Sequence, residues 1–170
     1  MPKLLVLFDA RSDDLARLAD AVAEGVRSVR FAEVDVRRAP PDGAPEDGAR
    51  LGSRHRTLES PDALAAYDGI IVGATASGGD EHDAVRALLD ASAVNLANKV
   101  ASAFTVTTNV DARRAALWSV LIPMAERLMI IVPPRVDEPG DDDGETARKL
   151  GKRVTDVVGW ITHARSHHHH

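Results

Sequence analysis

Lys3 to Phe8 reads KLLVLF, and Tyr67 to Gly73 reads YDGIIVG. Both are short, almost unbroken apolar runs. A run of this length without polar alternation marks a strand covered on both faces, as in a parallel sheet. After the first run, Leu15, Leu18, Ala19, Val22 and Val26 fall at the spacing of one helix face, with Gly25 near its end. A buried strand, then an amphipathic helix, then another buried strand is the repeating unit of an α/β protein.

The rest of the chain continues the alternation. Phe31 to Val36 predicts a second strand. Arg38 to Ser60, rich in Pro, Gly and charge, predicts a long surface connection, a place for subunit contacts or disorder. Ile70, Ile71 and Val72, ending at Gly73, form the third strand, and the helix from Asp80 to Ala91 buries Val85, Leu88 and Leu89. Val100 to Val106 is the fourth strand. The helix from Asp111 to Arg127 has Leu117, Leu121, Met124 and Leu128 in phase, and Pro123 should kink or split it. Met129 to Val132 is the fifth strand. Ala147, Leu150, Val154, Val157, Val158 and Ile161 mark a final helix. Five such strands fit a three-layer sandwich, with a parallel sheet in the order 2-1-3-4-5 between two layers of helices. No internal repeat is visible. Residues 1–165 are read as one domain and 166–170, including His167 to His170, as a tag remnant.

Composition narrows the function classes. A net charge of -5 argues against a nucleic-acid partner, which usually needs a basic surface. The chain has no cysteine, so disulfides, thiolate metal sites and thiol nucleophiles are excluded. No apolar stretch reaches the roughly 18 residues of a membrane span. No signal segment precedes the first strand, so a cytoplasmic location without a membrane partner is expected.

In sheets of this kind ligands bind beyond the carboxyl ends of the strands, around the point where the strand order reverses. That points to three loops, Asp9 to Asp14, Ala74 to His82 and Thr107 to Arg113. A small molecule, if any, is the expected occupant.

Four stretches carry a resemblance to a known family: Lys3 to Phe8 (KLLVLF), Leu18 to Gly25 (LADAVAEG), Tyr67 to Gly73 (YDGIIVG) and Met129 to Val132 (MIIV). The chain resembles the flavodoxin-like NAD(P)H:quinone oxidoreductases of the tryptophan-repressor-binding-protein type. The resemblance implies a flavodoxin-like fold, a homo-oligomer and FMN, with NAD(P)H as a reductant only if FMN binds. Its cofactor positions fall on Ala10, Arg11, Ser12, Asp13, Asp14 and Leu15 in the first loop. They fall on Thr75, Ala76, Ser77, Gly78 and Gly79 in the second, and on Thr107, Thr108 and Asn109 in the third.

The residues at those positions depart from the family's pattern. Its first loop reads Ser-x-x-Gly-Asn-Thr and wraps the phosphate with hydroxyls and backbone N–H groups at a helix start. Here the first hydroxyl is Ala10, the glycine is Asp13 and the last hydroxyl is Leu15, which leaves Ser12 as the one side-chain hydroxyl donor. Asp9, Asp13 and Asp14 stand where an anion should sit, although Arg11 could offset them. The second loop keeps Gly79 but lacks the family's arginine and aromatic residue. The family's histidine pair aligns with Glu126 and Arg127. Lost or weakened FMN binding is the reading these changes support, and an active reductase with atypical flavin contacts is the alternative. No catalytic residue is assigned.

Plainer readings compete at each position. Asp13, Asp14, Asp80 and Asp111 are favourable caps for helix starts. Asp9, Asp13, Asp14, Asp80 and Glu81 could hold Mg²⁺ or Ca²⁺, but the lysine and strand-end aspartate of a phosphoacceptor domain are missing, and no metal site is assigned. Asp137 to Glu145 reads as a solvated acidic loop. His82 is read as an ordinary surface histidine, and Thr105, Thr107 and Thr108 as strand-end residues. Trp118 and Trp160 are expected to serve packing or subunit contact.

Overall fold

The computed structural model describes residues 1–9, 13–39, 55–74, 81–107, 109–135 and 143–167, with the side chains of 81–85 and 143 left aside. β1 (Lys3–Phe8) pairs in parallel with β2 (Glu33–Arg38) on one side and β4 (Gly69–Ala74) on the other. β5 (Val100–Thr105) and then β6 (Ile130–Ile131) extend the sheet beyond β4. Outside β2 lies β3 (Arg56–Thr57), so the sheet has six strands in the order β3-β2-β1-β4-β5-β6.

The five-stranded expectation is therefore corrected by one edge strand. The five strands read from the sequence keep the relative order expected of them, and β3 is the addition. It lies in the stretch read as a surface connection. Its two residues carry no apolar pattern; it is held by the backbone bond from Leu58 N–H to the Arg38 carbonyl at 2.9 Å and by the Arg38 side chain, whose Nε donates to the His55 carbonyl at 2.9 Å. His55 also meets Asp20 at 3.0 Å and the edge of the Phe8 ring, tying this rim to the neighbouring helix.

Alternation along β1 divides the core. Leu4, Val6 and Phe8 face α1 (Asp13–Arg27) and α4 (Asp143–Ser166). Leu5 and Leu7 face the other layer, built from α2 (Glu81–Ala91), α3 (Val110–Glu126) and a short 3₁₀ turn, Pro61–Ala66. Every residue of β4 and β5 is buried, as both-face cover requires. Gly73 stands in register between Phe8 and Phe104. A Cβ there would lie 2.7 Å from the Phe104 ring and 3.2 Å from the Phe8 Cβ, so the missing side chain makes room for the two phenyl groups.

Several boundaries differ from the expectation. Phe31 is not in a strand: it is exposed in the turn before β2, with φ 65°. α3 runs through Pro123 unsplit. Pro123 lies in the last turn, where one ladder bond is lost, and the buried Met124 beside it holds that turn to the core. Leu117, Leu121 and Met124 are buried as expected, but Leu128 lies past the helix end and is 72% exposed. The fifth expected strand shrinks to Ile130–Ile131. Trp118 and Trp160 are 49% and 70% exposed, so neither belongs to the buried core of this chain. No helix among the described residues is long and apolar enough to cross a membrane.

Candidate functional site

The carboxyl ends of β1, β4 and β5 lie side by side, with Phe8 opposite Gly73 and Ala74 opposite Thr105. The three loops read as the ligand site thus leave the sheet next to one another. Ala10, Arg11, Ser12, Thr75, Ala76, Ser77, Gly78, Gly79 and Thr108 lie outside the described residues, as does Asp80. Asp13, Asp14, Leu15, Thr107 and Asn109 lie within them.

Asp13 and Asp14 open α1 and are both exposed in its first turn. Carboxylates there sit well against the positive end of the helix dipole. Arg17, one turn on, forms an ion pair with Asp14. Leu15 turns the other way and is fully buried among the core residues of α1. It cannot stand in for a hydroxyl at a ligand; it is a packing residue.

The third loop spends its side chains on α3. Asn109 is the N-cap, accepting from the Ala112 N–H at 3.0 Å, and Thr107 Oγ1 accepts from the Asn109 N–H at 3.3 Å. The expectation that Asp111 caps this helix is corrected: Asp111 lies in the first turn and Asn109 does the capping. Cap preference rests on an oxygen reaching the N–H two or three residues on, and both Asn and Asp can do so. At the far end of α3, Arg127 donates to the Leu89 carbonyl at 2.7 Å and pairs with Asp90, and Glu126 lies 3.8 Å from Arg86. The two residues aligned with the family's histidine pair thus pin α3 to α2. Among the described residues no three His, Asp or Glu side chains gather as a metal site would require.

Sequence reasoning missed a second recess. It opens beyond the carboxyl end of β5, between α1, α3 and α4, with a volume of about 120 Å³. Phe104, Leu117 and Leu150 form part of an apolar lining, and Arg113, Arg135, Lys149 and Arg153 are the cations that border it. Thr105 lines it as well. The one sequence signal is Lys149 and Arg153, four residues apart on the final helix; their convergence with Arg113 is tertiary.

No family model matches the chain. Solved structures do. A flavodoxin from Megasphaera elsdenii is 16% identical with a TM-score of 0.59, over 90% of this chain and 98% of that one. The chain has a flavodoxin-like fold. Flavodoxin 2 from Bacillus cereus is 18% identical with a TM-score of 0.58, over 91% of this chain and 99% of that one. FerB from Paracoccus denitrificans, a flavoenzyme NAD(P)H:(acceptor) oxidoreductase, is 14% identical with a TM-score of 0.60, over 95% of this chain and 98% of that one. The flavodoxin-like fold accounts for the strand order around β1 and β4 and for the position of the three loops at one sheet edge.

Proposed function

We propose that this chain is a flavodoxin-like relative of the FMN-dependent NAD(P)H:quinone oxidoreductases, of the tryptophan-repressor-binding-protein type, in which FMN binding is lost or markedly weakened. The observation that carries the reading is the pair of exposed carboxylates, Asp13 and Asp14, in the first turn of α1. A carboxylate about 5 Å from one unit of phosphate charge costs roughly 3 kcal/mol at an effective dielectric near 20. That is a factor of about a hundred in affinity. Arg17 shields Asp14, so Asp13 supplies the larger share of the repulsion. The burial of Leu15 and the capping duties of Thr107 and Asn109 remove further side chains that could have held the cofactor. These residues do not fit the flavin phosphate, and no catalytic step is derived through the cofactor.

The alternative is an active FMN-dependent NAD(P)H:quinone or flavin reductase that grips its flavin through backbone N–H groups. The likeness to FerB, whose name describes a flavoenzyme, supports it. The visible spectrum of the freshly purified protein separates the two readings. The favoured reading expects colourless protein that leaves FMN fluorescence unquenched at micromolar concentration. Yellow protein with stoichiometric FMN would establish the alternative, and NAD(P)H-driven quinone reduction would then be the next assay.

The cytoplasm is the proposed location, and a homo-oligomer the proposed assembly. Trp118 and Ile122, one turn apart on α3 and each 49% exposed, support subunit contact on that helix.

A further inference from the structure

We infer that α3 is the seat of a symmetric dimer, in which two copies of this chain pack α3 against α3 in antiparallel fashion, with Arg114 of each opposite Glu126 of the other. The inference rests on the homo-oligomer proposed above and deepens it by naming the surface and its partner. It is independent of flavin.

Three observations carry it. The first is an exposed helix face without polar residues. α1 divides into an apolar side against the core and a polar side outward. α3 does not divide in this way: between Ala115 and Ala125 its only polar side chain is Ser119. A helix that is apolar all round is normally covered all round. Yet Ala115, Trp118, Ile122 and Ala125 are exposed in the single chain. A tryptophan flanked by other apolar residues on a surface is the kind of side chain that anchors a protein interface.

The second is the order of residues along that face. Arg114, Trp118, Ile122 and Glu126 are spaced four apart, so they form one row along the helix, and all four are exposed. Rows of this kind on two helices lie side by side when the helices cross at roughly 50°. The row reads the same in kind from both ends: charge, apolar, apolar, opposite charge. A two-fold axis between Trp118 and Ile122 sets Trp118 of one copy against Ile122 of the other. It also sets Arg114 against Glu126 at both ends. A symmetric dimer demands this self-complementarity, since its two surfaces are the same patch. Ala115 and Ala125 flank the row symmetrically, three residues before Trp118 and three after Ile122, and their small side chains leave room beside it for the indole ring.

The third is that the charges at the two ends are accessible. Arg114 is exposed. Glu126 lies 3.8 Å from Arg86, a separation beyond a hydrogen bond, and both of those side chains are more than half exposed. The carboxylate can therefore take up the guanidinium of a second copy, with which a two-pronged pair is possible. Asp111 stands at the N-terminal rim of the face, outside the row.

The test is sedimentation velocity of the full-length chain from about 1 to about 200 µM, the range in which a dimer of modest interface dissociates. The proposal expects a monomer–dimer equilibrium. Trp118→Ala should weaken it at least about tenfold. Arg114→Glu turns both end pairs into like charges, and so does Glu126→Arg; each should weaken the dimer about ten- to hundredfold at low salt. Mixing these two single variants should restore association as a heterodimer, because each end then joins opposite charges. The double variant Arg114→Glu/Glu126→Arg should recover the dimer in one chain. Recovery by mixing also shows that each single variant is folded. A dimer that ignores the charge swaps or Trp118→Ala places the contact elsewhere, which overturns the proposal and leaves the homo-oligomer standing. So does a dimer weakened by both swaps and not restored by mixing. A chain that stays monomeric at about 200 µM overturns both.

Discussion

Gly151 of α4 lies against the backbone of α1: a Cβ built on it would sit 2.1 Å from the Val22 carbonyl oxygen. The contact is reciprocal, since a Cβ on Gly25 of α1 would sit 2.0 Å from the Arg148 carbonyl oxygen of α4. The two helices therefore meet backbone to backbone, and the buried Val22, Val26 and Val154 pack beside the crossing. Any side chain at either glycine must push the helices apart. Gly151→Ala should cost about 1–3 kcal/mol, the range of overpacked cores and shifted backbones. Gly159, on the same helix with nothing within 4 Å of its virtual Cβ, is the control; Gly159→Ala should be stabilising by about 0.5–1 kcal/mol. Urea denaturation of the two variants checks both signs, and similar midpoints for the pair would refute the close crossing.

Tyr67 gives the molecule a pH-dependent contribution at the alkaline end. Burial, and then its hydrogen bond to Asp35 at 2.8 Å, push the phenol from about 10 up to about 12. The folded state holds the proton more tightly than the unfolded state does. The stabilisation is therefore complete below pH 10 and is lost as pH rises from 10 to 12, by on the order of 2 kcal/mol. The chain has one tyrosine, so tyrosinate absorbance reads this group alone. A midpoint near 10 in the folded protein, the same as in urea, would contradict the assignment. Tyr67→Phe should flatten the alkaline limb of the stability curve.

Leu128 holds a backbone conformation that suits glycine. Its φ is 59°, and it follows α3 in a Schellman turn, with Leu128 N–H donating to the Ala125 carbonyl at 2.9 Å and Met129 N–H to the Met124 carbonyl at 3.3 Å. A leucine there is strained by about 1–2 kcal/mol, and its exposed side chain returns little through packing. Leu128→Gly should raise stability by about 0.5–1 kcal/mol once the greater freedom of glycine in the unfolded chain is subtracted. Calorimetric melting checks the sign, and a lower melting temperature would show that the side chain makes a contact worth more than the strain.

If the proposed repulsion operates, removing charge at the start of α1 should raise affinity for flavin in an ordered way. Asp13→Asn should tighten FMN binding about ten- to hundredfold, and Asp14→Asn less, because Arg17 already offsets the second carboxylate. Fluorescence quenching of FMN at low salt measures both. Identical, negligible effects for the two variants would remove repulsion as the explanation.

Much of the fold was legible because burial on both faces leaves a mark. KLLVLF and GIIVG can hardly be anything but central strands, and their bounds match the structure to within a residue. Edge elements were harder. β3 and β6 are two residues each, held by backbone pairing that side-chain patterns do not encode. Leu128 matched the helical phase of α3, yet phase says nothing about where the turn closes, and the Schellman bonds end the helix before it. Asn109 as the cap was missed because Asp111 fits the same preference two positions later.

The sequence by itself determined the class of the sheet and the placement of three loops at one edge, because hydrophobic periodicity and the handedness of strand–helix–strand units leave few alternatives. It also determined that carboxylates crowd the first of those loops. Only the tertiary structure decided that two glycines more than a hundred positions apart share one helix crossing, that Leu15 points inward, and that Arg113, Arg135 and Arg153 converge on a cavity with Thr105 in its wall. Such relationships depend on how the helical layers settle on the sheet, a matter of packing between distant segments, and no local pattern along the chain carries it.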